Sequence, residues 1–237
     1  LRVLITAGGT REALDPVRFL GNRSSGKQGY ALAEVARDRG AQVCLVSANV
    51  TLPDPAGVVV IRVESALDVQ QAVASRVTDH DIVVMCAAVA DFRPKAYAPT
   101  KIKKTHDPTG GPGGADESAP VIELVRNPDI LRGLVEARGA ATRPIIVGFA
   151  AETGDAGGTV LELARAKLAR KGCDVLVANE VGRHLTFGQD ANTVHLLFAD
   201  GSPERTIGPA TKVKIAEAVW DGIQALGHRS TDSNPID

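Results

Sequence analysis

Apolar residues fall in short dense runs, separated by stretches in which they recur every three or four positions. The runs RVLIT (2–6), QVCLVS (42–47), VVVIRV (58–63), DIVVMCAA (81–88), PIIVGFA (144–150) and DVLVAN (174–179) have the length and β-branched content of buried strands. Helical spacing lies between them, over 27–38, 65–76, 127–138 and 158–171. Ser65 with Asp68 has the form of an N-terminal cap, and Asn127 before Pro128 reads as a cap followed by proline at the first helical position. Strands alternating with helices of this length demand right-handed crossovers and a sheet covered on both faces. The pattern predicts an α/β fold: a doubly wound, Rossmann-like, mostly parallel sheet. Near the end, TVHLLFAD (193–200), Gly201-Ser202 and ERTIG (204–208) read as a β-hairpin, before a closing helix over 210–226. We expect a single domain over 1–227 and a disordered polar tail over 228–237.

The alternation breaks after Asp91. Residues 93–120 hold five prolines, four glycines and a KIKK cluster without periodicity, the pattern of a long loop or arm. Composition adds constraints. With 44% hydrophobic and 23% charged residues the chain has an ordinary globular balance, and its net charge of −1 offers no general field for nucleic acid or an anionic membrane. An anionic ligand must therefore be held by a local cluster of positive charge. No apolar run approaches the ~20 residues of a membrane span. Cys44, Cys86 and Cys173 sit within or beside apolar runs at wide spacing, which fits reduced core thiols in a cytoplasmic protein. The start at Leu1, already inside a strand-like run, suggests a domain cut from a longer polypeptide.

In open α/β sheets ligands bind at the carboxyl ends of the strands. The segments that fall there are 6–26, 87–93 and 149–153. Gly8 and Gly9 after the first strand suggest a nucleotide cradle, but the dinucleotide fingerprint is absent, and Ser47-Ala48-Asn49 replaces the expected acid after the second strand. Gly21 to Lys27 matches G-x-x-x-x-G-K, with Gln28 in place of the metal-binding hydroxyl. Ser24, Ser25 and Gly26 open a helix, either as an ordinary start or with free N–H groups that attract an anion. Asp91 is a loop acid or a ligand to nucleotide or metal. Lys101, Lys103 and Lys104 are a solvated run or phosphate binders, and Lys167 and Lys171 share one helix face. The histidines show no metal-ligand spacing, and no covalent nucleophile stands out.

Seven segments in order, ITAGGTREALDPVRFLGNRSSGKQG, AAVADFRP, KIKK, NPDIL, VGFAAET, ARAKLARKG and VANEV with NTVHLLF, closely resemble phosphopantothenoylcysteine synthetase. That family is the C-terminal half of the bifunctional bacterial coenzyme A biosynthesis protein. The resemblance implies that CTP, with Mg²⁺ on its phosphates, activates the carboxylate of 4′-phosphopantothenate as an acyl-cytidylate, and that the cysteine amine then displaces CMP. It implies Asn22 at the acyl carbonyl, with Arg18 and Lys101 offsetting substrate and transition-state charge. It implies a CTP site from Asp91, Lys101, Pro128, Asp129, Ile130, Leu131, Phe149, Lys167 and Lys171, with the backbone of Met85, Cys86 and Ala87 as a wall. It further implies a homodimer paired through the 93–120 arm and the 193–208 hairpin, and fusion to an N-terminal flavin-dependent decarboxylase. The Gly/Pro-rich insert 106–119 is longer than the family pattern. Two rival readings are a nicotinamide-dependent reductase and a non-catalytic nucleotide-binding domain.

Overall fold

The computed structural model describes residues 1–102, 121–152, 158–180 and 191–229. In chain order they form β1 (Arg2–Gly8), β2 (Arg11–Asp15), β3 (Arg18–Gly21), α1 (Lys27–Asp38), β4 (Gln42–Ala48), β5 (Val59–Val63), α2 (Ala66–Ala74) and β6 (Ile82–Met85). The chain continues through β7 (Phe92–Pro94), β8 (Leu124–Arg126), α3 (Ile130–Arg138), β9 (Ile145–Glu152) and α4 (Val160–Lys171). It closes with β10 (Val175–Glu180), β11 (Ala191–Phe198), β12 (Arg205–Thr211) and α5 (Lys212–Arg229). Lys103, Lys104, the insert 106–119 and residues 230–237 of the expected tail lie outside the described residues, while the first two tail residues, His228 and Arg229, belong to α5.

Eight strands make one sheet in the order β12-β11-β10-β9-β6-β1-β4-β5. The six from β10 to β5 are parallel, and β11 and β12 continue the sheet antiparallel. Winding reverses between β1 and β6, so the loops leaving those two strands diverge and open a crevice at their carboxyl ends. Alternate residues of β1 explain the two-faced core. Val3, Ile5 and Ala7 pack with α1 and α5, while Leu4 packs on the opposite face among residues of α2, α3 and α4. Leu4, Leu32, Leu45 and Ile146 are fully buried, each contributing about 1.5–3 kcal/mol. The buried Trp220 indole of α5 donates to the Leu32 carbonyl of α1 at 3.0 Å, tying the last helix to the first.

Four features differ from the sequence reading. The loop after β1 contains the antiparallel pair β2–β3, held by tertiary bonds: buried Glu12 accepts from Ala66 N at 2.9 Å, and Ala98 N donates to the Leu14 carbonyl at 3.0 Å. The terminal hairpin forms as read, β11 with β12, but it belongs to the main sheet instead of standing apart, because Val194, Leu196, Leu197 and Phe198 of β11 are core residues and, of its two strands, only β12 is an edge. Asp129, not Asn127, caps α3 by accepting from Arg132 N at 3.2 Å. The base of the 93–120 arm is not irregular but an antiparallel ribbon, β7 with β8.

Candidate active site

A cleft of about 950 Å³ lies at the carboxyl ends of the central strands. Its floor begins at Gly8, whose φ of 88° is a left-handed conformation that favours glycine, and a Cβ there would lie 2.0 Å from the Ala48 carbonyl oxygen. Asn49 donates its side-chain amide to the carbonyls of Gly9 and Glu64, each at 2.9 Å. This position therefore braces the glycine turn instead of offering a carboxylate to a ribose. Gly26, at φ 77°, opens α1 without a side-chain cap. Ser24 and Ser25 accept from Gly26 N and Lys27 N only at 3.4 and 3.5 Å, long for hydrogen bonds. The first N–H groups of α1 are thus only weakly engaged by these hydroxyls and suit an anion.

The 86–91 loop forms the facing wall, and buried threonines fix its backbone. Ala87 N donates to Thr6 Oγ1 at 3.0 Å and Ala90 N to Thr10 Oγ1 at 2.9 Å. From the other side the Asn22 amide donates to the Val89 carbonyl at 3.1 Å and the Asn127 amide to the Ala90 carbonyl at 2.8 Å. Asn127, expected as a helix cap, instead clamps this loop. The loop presents an exposed Asp91, while burial pushes the Cys86 thiol up to about 12, against an opposing pull from Lys212.

The third wall is the start of α3 and the end of α4. Lys171 Nζ meets Asp129 Oδ2 at 2.5 Å, and Lys167 pairs with Glu152. Burial pushes the Asp129 carboxyl up, but its bonds to Lys171 and Arg132 N outweigh that, and it is held below the usual carboxylate range. Among the described residues, seven cationic and three acidic side chains line the cleft, so a chain of net charge −1 gathers positive charge here.

A family model described as DNA/pantothenate metabolism flavoprotein C-terminal domain matches residues 1–226. The chain belongs to this family. The coenzyme A biosynthesis bifunctional protein CoaBC of Mycobacterium tuberculosis H37Rv is 51% identical over 226 residues, covering 94% of the chain and 51% of that protein. The CoaBC of Vibrio cholerae is 45% identical over 219 residues, covering 92% of the chain and again 51% of that protein. The chain therefore spans about half the length of the curated relatives it matches. The crystal structure of a CoaBC C-terminal domain superposes with a TM-score of 0.76 at 37% identity, with 96% of each chain covered.

Within this C-terminal-domain fold, most residues picked from the sequence converge. Gly8, Asn22, Asp91, Phe149, Lys167, Lys171 and the segments 24–26, 85–87 and 128–131 all line the one cleft. Gly9 stands behind its wall, donating to the Ala48 carbonyl at 3.1 Å. Arg18 and Lys101 are not brought to it. Arg18 lies at the far end of β3 from Asn22, about 13 Å away at strand rise. Its guanidinium pairs with Asp15 at 2.8 Å and donates to the Ile102 carbonyl at 2.5 Å, which sets Lys101 beside it and outside the cleft of this chain. Sequence reading missed Arg23, Lys27, Arg126, Arg170, Asn179 and Lys212 as lining residues. Only Lys27 and Lys212 carried a signal: each is a basic residue at a helix start, where an acid is the favoured choice.

Proposed function

We propose that this chain is the CTP-dependent phosphopantothenate–cysteine ligase module of a coenzyme A biosynthesis protein. The observation that carries the reading is convergence: Asn22, the weakly engaged N–H groups of α1, Asp91 and the α4 lysines come from distant segments into one cationic cleft at the β1/β6 crossover. Activating a carboxylate brings two anions together at phosphorus, and such a step needs a dense set of cationic and N–H donors. The nucleoside lies along 128–131, Phe149 and α4, and its phosphates reach the start of α1. Asn22 donates to the acyl carbonyl. Mg²⁺ supplies charge neutralisation to the phosphates when bound, and the donor set fits: such an ion takes one or two carboxylates besides phosphate oxygens, and Asp91 is placed to serve. Asn49 disfavours the reductase reading, because its amide is committed to two backbone carbonyls.

The active unit is a homodimer. Val17, Phe19, Phe92, Tyr97, Val121 and Leu124 are exposed on β2–β3, β7–β8 and the segments beside them, and β2 packs against β7. Apolar side chains gathered this way support a second copy as the occupant. Arg18 and Lys101 belong to the same face and serve the cleft of the second copy. Pyrophosphate release should require CTP and phosphopantothenate together, with the amide product forming once cysteine is added. Release without phosphopantothenate, or none in a folded protein, would sink the ligase reading.

A further inference from the structure

Among the described residues, the lysines of the cleft stand on two walls. On the α3–α4 side, Lys167 is paired with Glu152 and Lys171 with Asp129. On the other wall, α1 and α5 begin side by side, joined by the Gln28 side chain, whose Nε2 donates to the Lys212 carbonyl at 3.1 Å. Neither helix has an acid in its first turn; α1 begins with Lys27 and α5 with Lys212. A cation there opposes the helix dipole. The contrast lies within the same molecule: α2 and α4, whose first turns do not line the cleft, carry Asp68 and Glu162 in capping boxes. Lys212 is half-buried and lines the cleft, and its ammonium acts electrostatically on Cys86, just past the end of β6. The last helix thus delivers a positive charge to the crossover point, beside the N-terminus of α1.

We propose that Lys212 holds the β- and γ-phosphates of the nucleoside triphosphate and stabilises pyrophosphate as it departs. The proposal rests on the ligase reading of this cleft. In the activation step a carboxylate oxygen bonds to the α-phosphorus. The bond from that phosphorus to the oxygen bridging to the β-phosphorus breaks, and its electron pair leaves on that oxygen with pyrophosphate. Negative charge on the departing group therefore grows toward the transition state, and a cation fixed between two helix starts acts on that growth without having to reorganise. The wall with helix N–H groups and two lysines suits the multiply charged triphosphate end. The α4 wall is the carboxyl end of a helix, where the dipole is negative, and suits the less charged nucleoside end.

The test compares Lys212→Met, which keeps a long apolar stem, with Lys212→Arg, which keeps the charge. Calorimetry with CTP, CMP and inorganic pyrophosphate reads binding, and single-turnover pyrophosphate release reads chemistry. For Lys212→Met, CTP and pyrophosphate should bind about tenfold or more weakly, as for one lost charge-assisted bond, while CMP stays within about twofold. Pyrophosphate release should slow roughly 10²-fold, and Lys212→Arg should recover most of it. Loss of a cation from a helix start does not threaten α5, and an unchanged melting temperature will show this; should the Met variant unfold, Lys212→Gln is read the same way. Equal weakening of CTP and CMP, or no weakening of either, overturns the proposal. If the parent protein itself releases no pyrophosphate, the ligase reading falls, and the CTP-against-CMP comparison still decides the place of Lys212.

Discussion

Asn22 donates its amide to the Val89 carbonyl at 3.1 Å, so the side chain is already oriented toward the 86–91 wall before any substrate binds. A second N–H of that amide remains to meet a carbonyl that gains negative charge, whereas a carboxylate in its place repels it. Asn22→Asp should therefore slow acyl transfer by about 10²–10³-fold, the usual effect of losing one such donor, while CTP binds nearly as before. Turnover within about threefold of the parent would remove Asn22 from the site. Asp15 makes a different prediction, about acid stability. It is buried, and burial alone pushes its carboxyl up. Bonds from Val17 N at 2.9 Å, Ile102 N at 3.1 Å, the Arg18 side chain and Arg18 N more than offset that, and the pKa falls to about 2. A depressed carboxyl stabilises the fold in its ionised form, so the contribution is full above the ordinary value of 3.8 and is lost as pH falls through about 2. The stability gap between the parent and Asp15→Asn should stay constant from neutrality to about pH 5 and close toward pH 2. A gap of the same size at both ends of that range would contradict the assignment.

α1 meets β1 so closely that Gly29 has no room for a side chain. A Cβ there would lie 2.5 Å from the Ala7 Cβ and 3.0 Å from its Cα, inside the central strand. Gly29→Ala must push α1 outward, at a cost of about 1–3 kcal/mol, and thermal melting should drop by several degrees. Because the same helix start lines the cleft, KM for CTP should rise with it; an unshifted melting temperature would mean that α1 slides freely on the sheet. The strands were legible from the sequence because parallel strands buried on both faces must be apolar throughout, and that leaves dense runs. The capping box of Ser65 and Asp68 was legible because both partners are local. β2 and β3 were not, since REALD and RFLG are mixed in polarity and their bonds reach Ala66, Ala98 and Ile102, far along the chain. Asn127 shows the same limit: its local pattern is that of a cap, but a tertiary partner, the Ala90 carbonyl, takes its amide. Most of the residues chosen from motif order line one cleft, whereas Lys212 is placed there by the packing of the last helix on the first.

At the scale of the molecule, the chain alone leaves two predicted catalytic cations away from the cleft. Arg18 is pinned to Asp15 and the Ile102 carbonyl, and exposed Lys101 precedes Ile102 on the face that carries Val17, 62% exposed, and Phe19. A twofold dimer through this face is isologous, so each copy would lend Arg18 and Lys101 to the other's cleft, while Asn22 works in its own. Mixing two dead variants tests this. Lys101→Gln removes the charge, and Asn22→Asp damages the acyl site. In a hybrid dimer with sharing across the interface, both lesions fall on one cleft and the other is intact. With equal, fully exchanged subunits, half of the dimers are hybrids and each has one working site, so activity should recover to about a quarter of the parent level. If Lys101 serves the cleft of its own chain, each cleft of the hybrid keeps one lesion, and the mixture stays as inactive as its parts. Sedimentation at micromolar concentration must show a dimer for both variants; a parent that is fully active as a monomer would overturn the shared site outright.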